Sequence, residues 1–277
     1  MLRITDDRTG EPVEAAPVRR GLTRVEAHAP GCDAGALRVL LVADLLVRAL
    51  ELGGTPVWAL LNAERQRAEL RAGAAALGIR PLEDSHDTTT GLGEAQIVHV
   101  AQDPAAAPDG VLVTVGPVVA SPWASTAPGD RDGVVGRGGP VPGDPGGVAG
   151  PGGSVPGAWG GGVDPAAVRL ALLSVPRGAP VRLDDASLGA AGETLARWRR
   201  AVADWARRPS RPIPDDVRAR LRAAWEEDLD IPAVLGVLRG AEDAAPDELP
   251  EGARFETFVY ADRLLGLDLA RDLGAPA

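Results

Sequence analysis

The chain has 277 residues, of which 45% are hydrophobic and 25% charged, and a formal net charge of −10. That apolar share supports a sizeable core of Ala, Val and Leu with few aromatics, while no run reaches the ~18 apolar residues that a membrane-spanning helix needs. A single cysteine, Cys32, excludes an internal disulfide or a multi-cysteine metal centre, the acidic balance opposes a polyanion over the whole surface, and the absence of lysine excludes chemistry that needs an ammonium group.

The opening, "MLRITDDRTGEP", is charged and lacks the apolar run of a secretory leader, so a cytoplasmic protein is expected. "LTRVEA" (22–27) suits a short strand, and the turn "HAPGCDAG" follows. From Ala36 to about Leu52 the chain is apolar on most sides. At ~100° per residue, Asp44, Arg48 and Glu51 fall on one narrow stripe, which predicts a helix packed between layers. Gly53-Gly54 supply the stop, and "PVWALLN" (56–62) reads as an interior strand. Strand, helix and strand in this order imply a parallel pair with a right-handed crossover. "AERQRAELRAGAAALG" is a second helix ended by Gly78, "AQIVHV" (95–100) reads as the end of a third helix or as a strand, and "GVLVTVG" (110–116) as a strand.

Between Pro128 and Pro165, 22 of 38 residues are Gly or Pro, too many to bury much, so a disordered connector is expected there. Asp164-Pro165 then gives a helix N-cap followed by proline in the first turn. Another helix starts at Asp184-Asp185 and runs to about Arg208, with Leu195, Trp198, Val202 and Trp205 as its core seam. Three more helical segments lie in 214–230, 232–243 and 254–269, so the last third predicts a helical bundle. The predicted units are a reduced nucleotide-binding-type domain (1–127), the connector (128–163), a helical junction (164–209) and the C-terminal bundle (210–277).

These segments resemble, in order, the cysteinyl-tRNA synthetase family of class I aminoacyl-tRNA synthetases. Gly35 and Arg38 align with the glycine and arginine of its His-Ile-Gly-Asn-Ala-Arg turn, and Asp44, Arg48, Leu50-Glu51, Gly54, Val57 and Asn62 follow in register. Ser121-Pro122-Trp123 with Pro128-Gly129 is similar to its "SPW…PG" spacing. "VRLALLSVPRGAPVRLDDASL" and "EEDLDIPAVLGVL" resemble two further family segments. The resemblance covers roughly 1–129 and 164–277. It implies a Rossmann-like α/β fold with a parallel sheet and a C-terminal α-helical bundle, an ATP-binding ligase ancestry, and a nucleotide or tRNA as partner.

The family's chemical groups are largely replaced. Its "HIG" is "DAG" here, so Asp33 puts a negative charge where ATP phosphates would lie. Its zinc centre takes two cysteines, a histidine and a glutamate, whereas this chain offers His28 at the first cysteine position and Cys32 nearby, so no zinc centre of that kind is expected. The Gly/Pro-rich tract stands where the lysine-bearing KMSKS loop belongs, and the shorter chain is expected to lack the second half of the nucleotide fold.

Gly35 and Arg38, at a helix N-terminus, remain the candidate anion- or ATP-binding residues, against a tight turn with a locally paired arginine. His86 reads as a loop residue and His99 as a satisfied core histidine. Ser121 and Ser174 lack evident triad partners, so no catalytic residue is assigned. Six arginines in 196–211 read as a solvated face opposite the tryptophan seam or as phosphate contacts, although eleven acidic residues in 215–251 break any continuous nucleic-acid track. The leading expectation is a non-catalytic or impaired paralogue that binds a nucleotide, a tRNA or a protein. A small adenylate-forming ligase with a non-tRNA acceptor, like the mycothiol cysteine ligase and using Arg131 or Arg137 in place of the loop lysine, is the second. A structural partner of a true synthetase or pathway enzyme is the third.

Overall fold

The computed structural model describes residues 1–17, 22–85, 96–120 and 163–274. A small antiparallel hairpin opens the chain, β1 (Arg3–Asp6) against β2 (Glu11–Glu14), turning at Gly10, whose φ of +74° suits a residue without a Cβ. Then come β3 (Thr23–Ala29), α1 (Ala34–Leu52), β4 (Val57–Ala63), α2 (Arg67–Ala76), β5 (Glu83–Asp84), β6 (Gln96–Ala101) and β7 (Val111–Thr114). The five strands from β3 to β7 form one parallel sheet in the order β5-β4-β3-β6-β7. Counted in order of appearance this is 3-2-1-4-5, the doubly wound Rossmann-like arrangement, and its strand order reverses between β3 and β6.

Strand parity explains how this sheet is buried. Val25, Ala27 and Ala29 of β3 share a face with Val98 and Val100 of β6 and are buried in the main core with α1. Fifteen residues of α1 are buried, because it lies between the sheet and the C-terminal helices. The opposite face of β3 carries Arg24, Glu26 and His28, an alternation that a strand in water on neither side rarely shows without a purpose. The ambiguous "AQIVHV" is strand β6. Strand β3 runs two residues further than its sequence suggested and so includes His28. Helix α2 is shorter than expected, because β4 continues to Ala63 and Gln66 adopts φ +52° before the helix starts. Two strands, β6 and β7, lie beyond the point of reversal, so the sheet is not confined to the first half of the nucleotide fold as the shorter chain had implied.

The hairpin packs on the edge strand β7. Asp7 donates its N–H to the Leu112 carbonyl at 2.8 Å, and the Asp6 and Asp7 carboxylates accept the N–H groups of Leu112 (3.1 Å) and Thr114 (2.6 Å). Arg177 fixes this corner by donating to Asp7 and to both carboxylate oxygens of Asp228.

After β7, β8 (Val118–Ala120) pairs in parallel with β9 (Val181–Leu183). The helices are α3 (Pro165–Leu173), α4 (Asp185–Trp205), α5 (Asp215–Glu226), α6 (Ile231–Asp243) and α7 (Glu251–Leu265). Asp164 caps α3 through the Ala166 N–H, and Asp184 and Ser187 form a reciprocal capping box on α4. The expected α4 seam is buried: Leu195, Trp198, Val202 and Trp205 face inward, and Phe258 of α7 meets Trp198 and Trp205 edge-on at 5.6 and 5.1 Å. The polar stripe of α1 is wet only at its far end, where Glu51 is exposed. Asp44 is buried and accepts from Arg48 (2.9 Å), Arg80 (3.0 Å) and Arg169 (2.9 Å). One contiguous core joins sheet and helices, and among the described residues no helix is long and apolar enough to cross a membrane. The Gly/Pro-rich connector (128–163) falls, apart from Val163, outside the described residues.

Candidate ligand crevice at the strand-order reversal

In open sheets of this kind, ligands bind outside the carboxyl ends of the strands where their order reverses. Here that place lies between the ends of β3 and β6. Strand β3 delivers His28 and Ala29, the loop 30–33 turns into α1, and β6 delivers Ala101 followed by Gln102.

The start of α1 is partly capped by the chain itself. Asp33, with extended backbone, accepts the Ala36 N–H at 2.7 Å, so the helix is capped by its own carboxylate. Gly35 faces the Gln102 side chain so closely that a Cβ would stand 2.5 Å from its Oε1. The glycine leaves room for the Gln102 amide that follows β6, and a larger residue would have to push that flexible side chain aside.

Arg38 is 1% exposed. Its Nη1 donates to the carbonyls of Gly116 (2.8 Å) and Ala179 (2.6 Å) and its Nη2 to that of Pro176 (2.9 Å). Burial pushes its pKa down to about 10, still far above neutrality, and three of its five donors tie α1 to the segments flanking β8 and β9.

The other face of the sheet holds a cluster that sequence reasoning did not assemble. His28 Nε2 and His99 Nδ1 are 3.0 Å apart, and His99 Nδ1 lies 3.7 Å from Glu26 Oε2. In the β3–β6 register Glu26 stands opposite His99. All three are buried, at 9%, 4% and 1% exposure. Burial lowers the pKa of His28 despite the opposing Glu26 carboxylate. Burial, then the charges of His28, Arg24 and Arg8, push that of His99 down to about 4, against a favourable Asp109 carbonyl. Both rings are thus neutral at neutral pH. His99 is buried, as its apolar setting suggested, and its Nδ1 meets His28, while its Nε2 has no well-aligned hydrogen-bond partner among the described residues. The legible signal was the period-two run of polar residues 24, 26 and 28 in "TRVEAHA".

Cys32 is buried. Burial pushes its thiol up, and the Glu69 and Asp33 carboxylates add to the shift, so it is protonated at neutral pH and a poor metal ligand. With one cysteine in the chain, the two-thiolate zinc centre implied by the family resemblance does not fit these residues.

The remaining candidates divide clearly. Ser174 Oγ donates to the Leu170 carbonyl at the end of α3, a capping role. Within 196–211, Arg197 and Arg208 pair with Glu242 and Glu251. Arg199 departs from the expected solvated face: it is buried and bound to Asp164 and to the Leu267 and Asp268 carbonyls. His86, Ser121, Arg131 and Arg137 lie outside the described residues. A cleft of about 410 Å³ beside Trp58 and Arg80 lies at the amino-terminal half of β4, and one of about 320 Å³ lies beside Gly53 and Thr55 after α1, both away from the reversal.

No protein-family model matches the chain. Curated proteins do. The L-cysteine:1D-myo-inositol 2-amino-2-deoxy-alpha-D-glucopyranoside ligase of Nocardiopsis dassonvillei is 41% identical over 110 residues, 39% of this chain and 26% of that protein. The ligase of the same name from Streptomyces griseus is 40% identical over 110 residues, with the same coverage. That of Kytococcus sedentarius is 38% identical over 125 residues, 39% of this chain and 28% of the relative. The matches thus span little more than a quarter of the relatives' length. The chain is similar to cysteine ligases rather than, as the sequence motifs suggested, to tRNA synthetases by name.

Proposed function

We infer that this chain is a binding derivative of a cysteine-ligase scaffold that does not form an acyl-adenylate at its crevice. The observation that carries this reading is the Asp33 carboxylate on the N-terminus of α1. A helix start holds phosphate through free N–H groups and a positive dipole end. Asp33 occupies the Ala36 N–H and adds a negative charge at the same place. Arg38, the nearest aligned cation of the signature turn, is engaged with backbone carbonyls. Adenylation needs the substrate carboxylate to attack the α-phosphorus while pyrophosphate leaves, and that step builds charge that preorganised cations must stabilise. The ligands favoured at such a crevice are neutral or cationic at the end that meets α1. L-cysteine, through its ammonium group, and an amino sugar, both in the relatives' names, have that chemistry. A tRNA or a protein partner would have to engage another surface.

ATP–pyrophosphate exchange with L-cysteine tests the reading: no turnover above a blank is expected. Thermal-shift measurements with L-cysteine, glucosamine, adenosine and ATP should show stabilisation by one of the first two and none by ATP, since only a ligand of the folded state raises its stability. Cysteine-dependent exchange would overturn it.

The identity to ligases favours one second reading, a working ligase in which Arg131 or Arg137 supplies the missing cation. In that case exchange would be measurable and would fall when both arginines are replaced by alanine.

A further inference from the structure

The cluster of Glu26, His28 and His99 has the composition and spacing of a ligand set. Each contributes one donor atom, and these atoms lie within 4.8 Å of one another. A tetrahedral ion with bonds of about 2.1 Å holds its donors about 3.4 Å apart. Two of the three separations, 3.0 Å between the imidazole nitrogens and 3.7 Å from His99 to Glu26, straddle that value, and the third lies within 4.8 Å. We propose that Glu26 Oε, His28 Nε2 and His99 Nδ1 bind a divalent transition-metal ion of the zinc class.

Three independent features support the site. First, the donors are fixed by paired strands rather than loops: β3 supplies Glu26 and His28, β6 supplies His99, and the parallel register holds Glu26 opposite His99. Second, the ring nitrogens face each other. As two neutral imidazoles they can share only one proton, whereas an ion uses both lone pairs and needs the protons on the far nitrogens. For His99 the far nitrogen is Nε2, buried without an aligned partner and flanked by Gly110, where a Cβ would stand 3.1 Å away. Third, among the described residues the one charged arginine paired with the buried Glu26 is Arg24, at 4.0 Å, so a bound dication would add to its charge compensation.

Two imidazoles and one carboxylate suit zinc, cobalt, nickel or iron(II), and three protein donors leave a coordination position open. His28 is the penultimate residue of β3, so the ion would lie beside the crevice described above, able to take a donor atom from a bound molecule. Cysteine supplies no donor, and the site does not depend on whether the crevice binds an amino acid.

The test uses the full chain stripped with a chelator and titrated with cobalt(II), followed by displacement with zinc. One cobalt per chain is expected, with visible d–d bands and no thiolate-to-metal charge-transfer band. Affinity should fall about tenfold or more in Glu26→Gln, His28→Asn and His99→Asn, and stay unchanged in Cys32→Ser. Zinc should raise the melting temperature of the wild type more than that of Glu26→Gln, the nearly isosteric variant. Circular dichroism identifies folded variants, and the wild-type cobalt spectrum reports the donor type even if a histidine variant fails to fold. No binding by the folded wild type, affinity unchanged in folded Glu26→Gln, or binding lost in Cys32→Ser would each overturn the proposal.

Discussion

Arg169 donates to Asp44 over 2.9 Å in a place where neither side chain reaches solvent, their exposures being 0% and 1%. The guanidinium also donates to the Leu265 and Leu77 carbonyls, at 2.6 and 3.0 Å. One ion pair therefore joins α1, α3, the end of α2 and the end of α7. Removing one partner of such a pair leaves the other charge buried and uncompensated. Asp44→Ala is expected to lose about 3–5 kcal/mol in urea unfolding. Replacing both, as Asp44→Leu with Arg169→Met, should recover part of that loss, and a double-mutant cycle measures the coupling.

Asp33 is both a cap and a charge, and two substitutions separate the roles. Asp33→Ser keeps a capping oxygen and should change stability by no more than about 0.5 kcal/mol, whereas Asp33→Ala should cost about 1 kcal/mol. Asp33→Ser should also raise affinity for ATP or tripolyphosphate in calorimetric titration. Unchanged anion affinity would show that the charge is not what excludes phosphate.

Gly116 lies against the Gly178 and Ala179 carbonyls, with no room for a Cβ, and its own carbonyl accepts from Arg38. Those neighbours are backbone and cannot rotate aside. Gly116→Ala is expected to cost about 1–3 kcal/mol, read from the denaturant midpoint. Gly35→Ala should cost less, because its obstacle is the end of the Gln102 side chain.

Asp7 sets the acid limit of the hairpin corner. Burial alone would raise its pKa, but hydrogen bonds from Thr114 and Arg177 outweigh it and hold the carboxyl below its ordinary value of 3.8. A depressed folded-state pKa contributes stability that is present above 3.8 and is lost as pH falls from there through the folded value. Wild type should therefore lose stability below that pH more steeply than Asp7→Asn, as shown by thermal midpoints across an acid series.

The β3–α1–β4 unit was legible in the sequence because each boundary had a local cause: a glycine pair after α1, an apolar strand on either side, and enough apolar helix to be covered twice. The α3 and α4 starts were legible for the same reason, since Asp164-Pro165 and Asp184 act within one turn of themselves. The crevice was legible in outline through Gly35 and Asp33. The His28–His99 pairing was not, because 71 residues separate the rings and strand order has no local sequence signature. Buried arginines were opaque for the same reason: Arg38, Arg169 and Arg199 find their carbonyl and carboxylate partners only in the tertiary fold. The departures cluster where charge is buried, the one quantity that hydrophobic periodicity does not report.

The hairpin on β7 has a consequence for how copies of this chain meet. A free outer strand offers its amide and carbonyl groups to any extended peptide, and that is how sheets grow into aggregates. Here Asp6 and Asp7 already take the outward N–H groups of Leu112 and Thr114. The opposite margin, β5, is only two residues long. Among the described residues the sheet thus ends in a capped strand on one side and a two-residue strand on the other, and both features disfavour strand-to-strand growth.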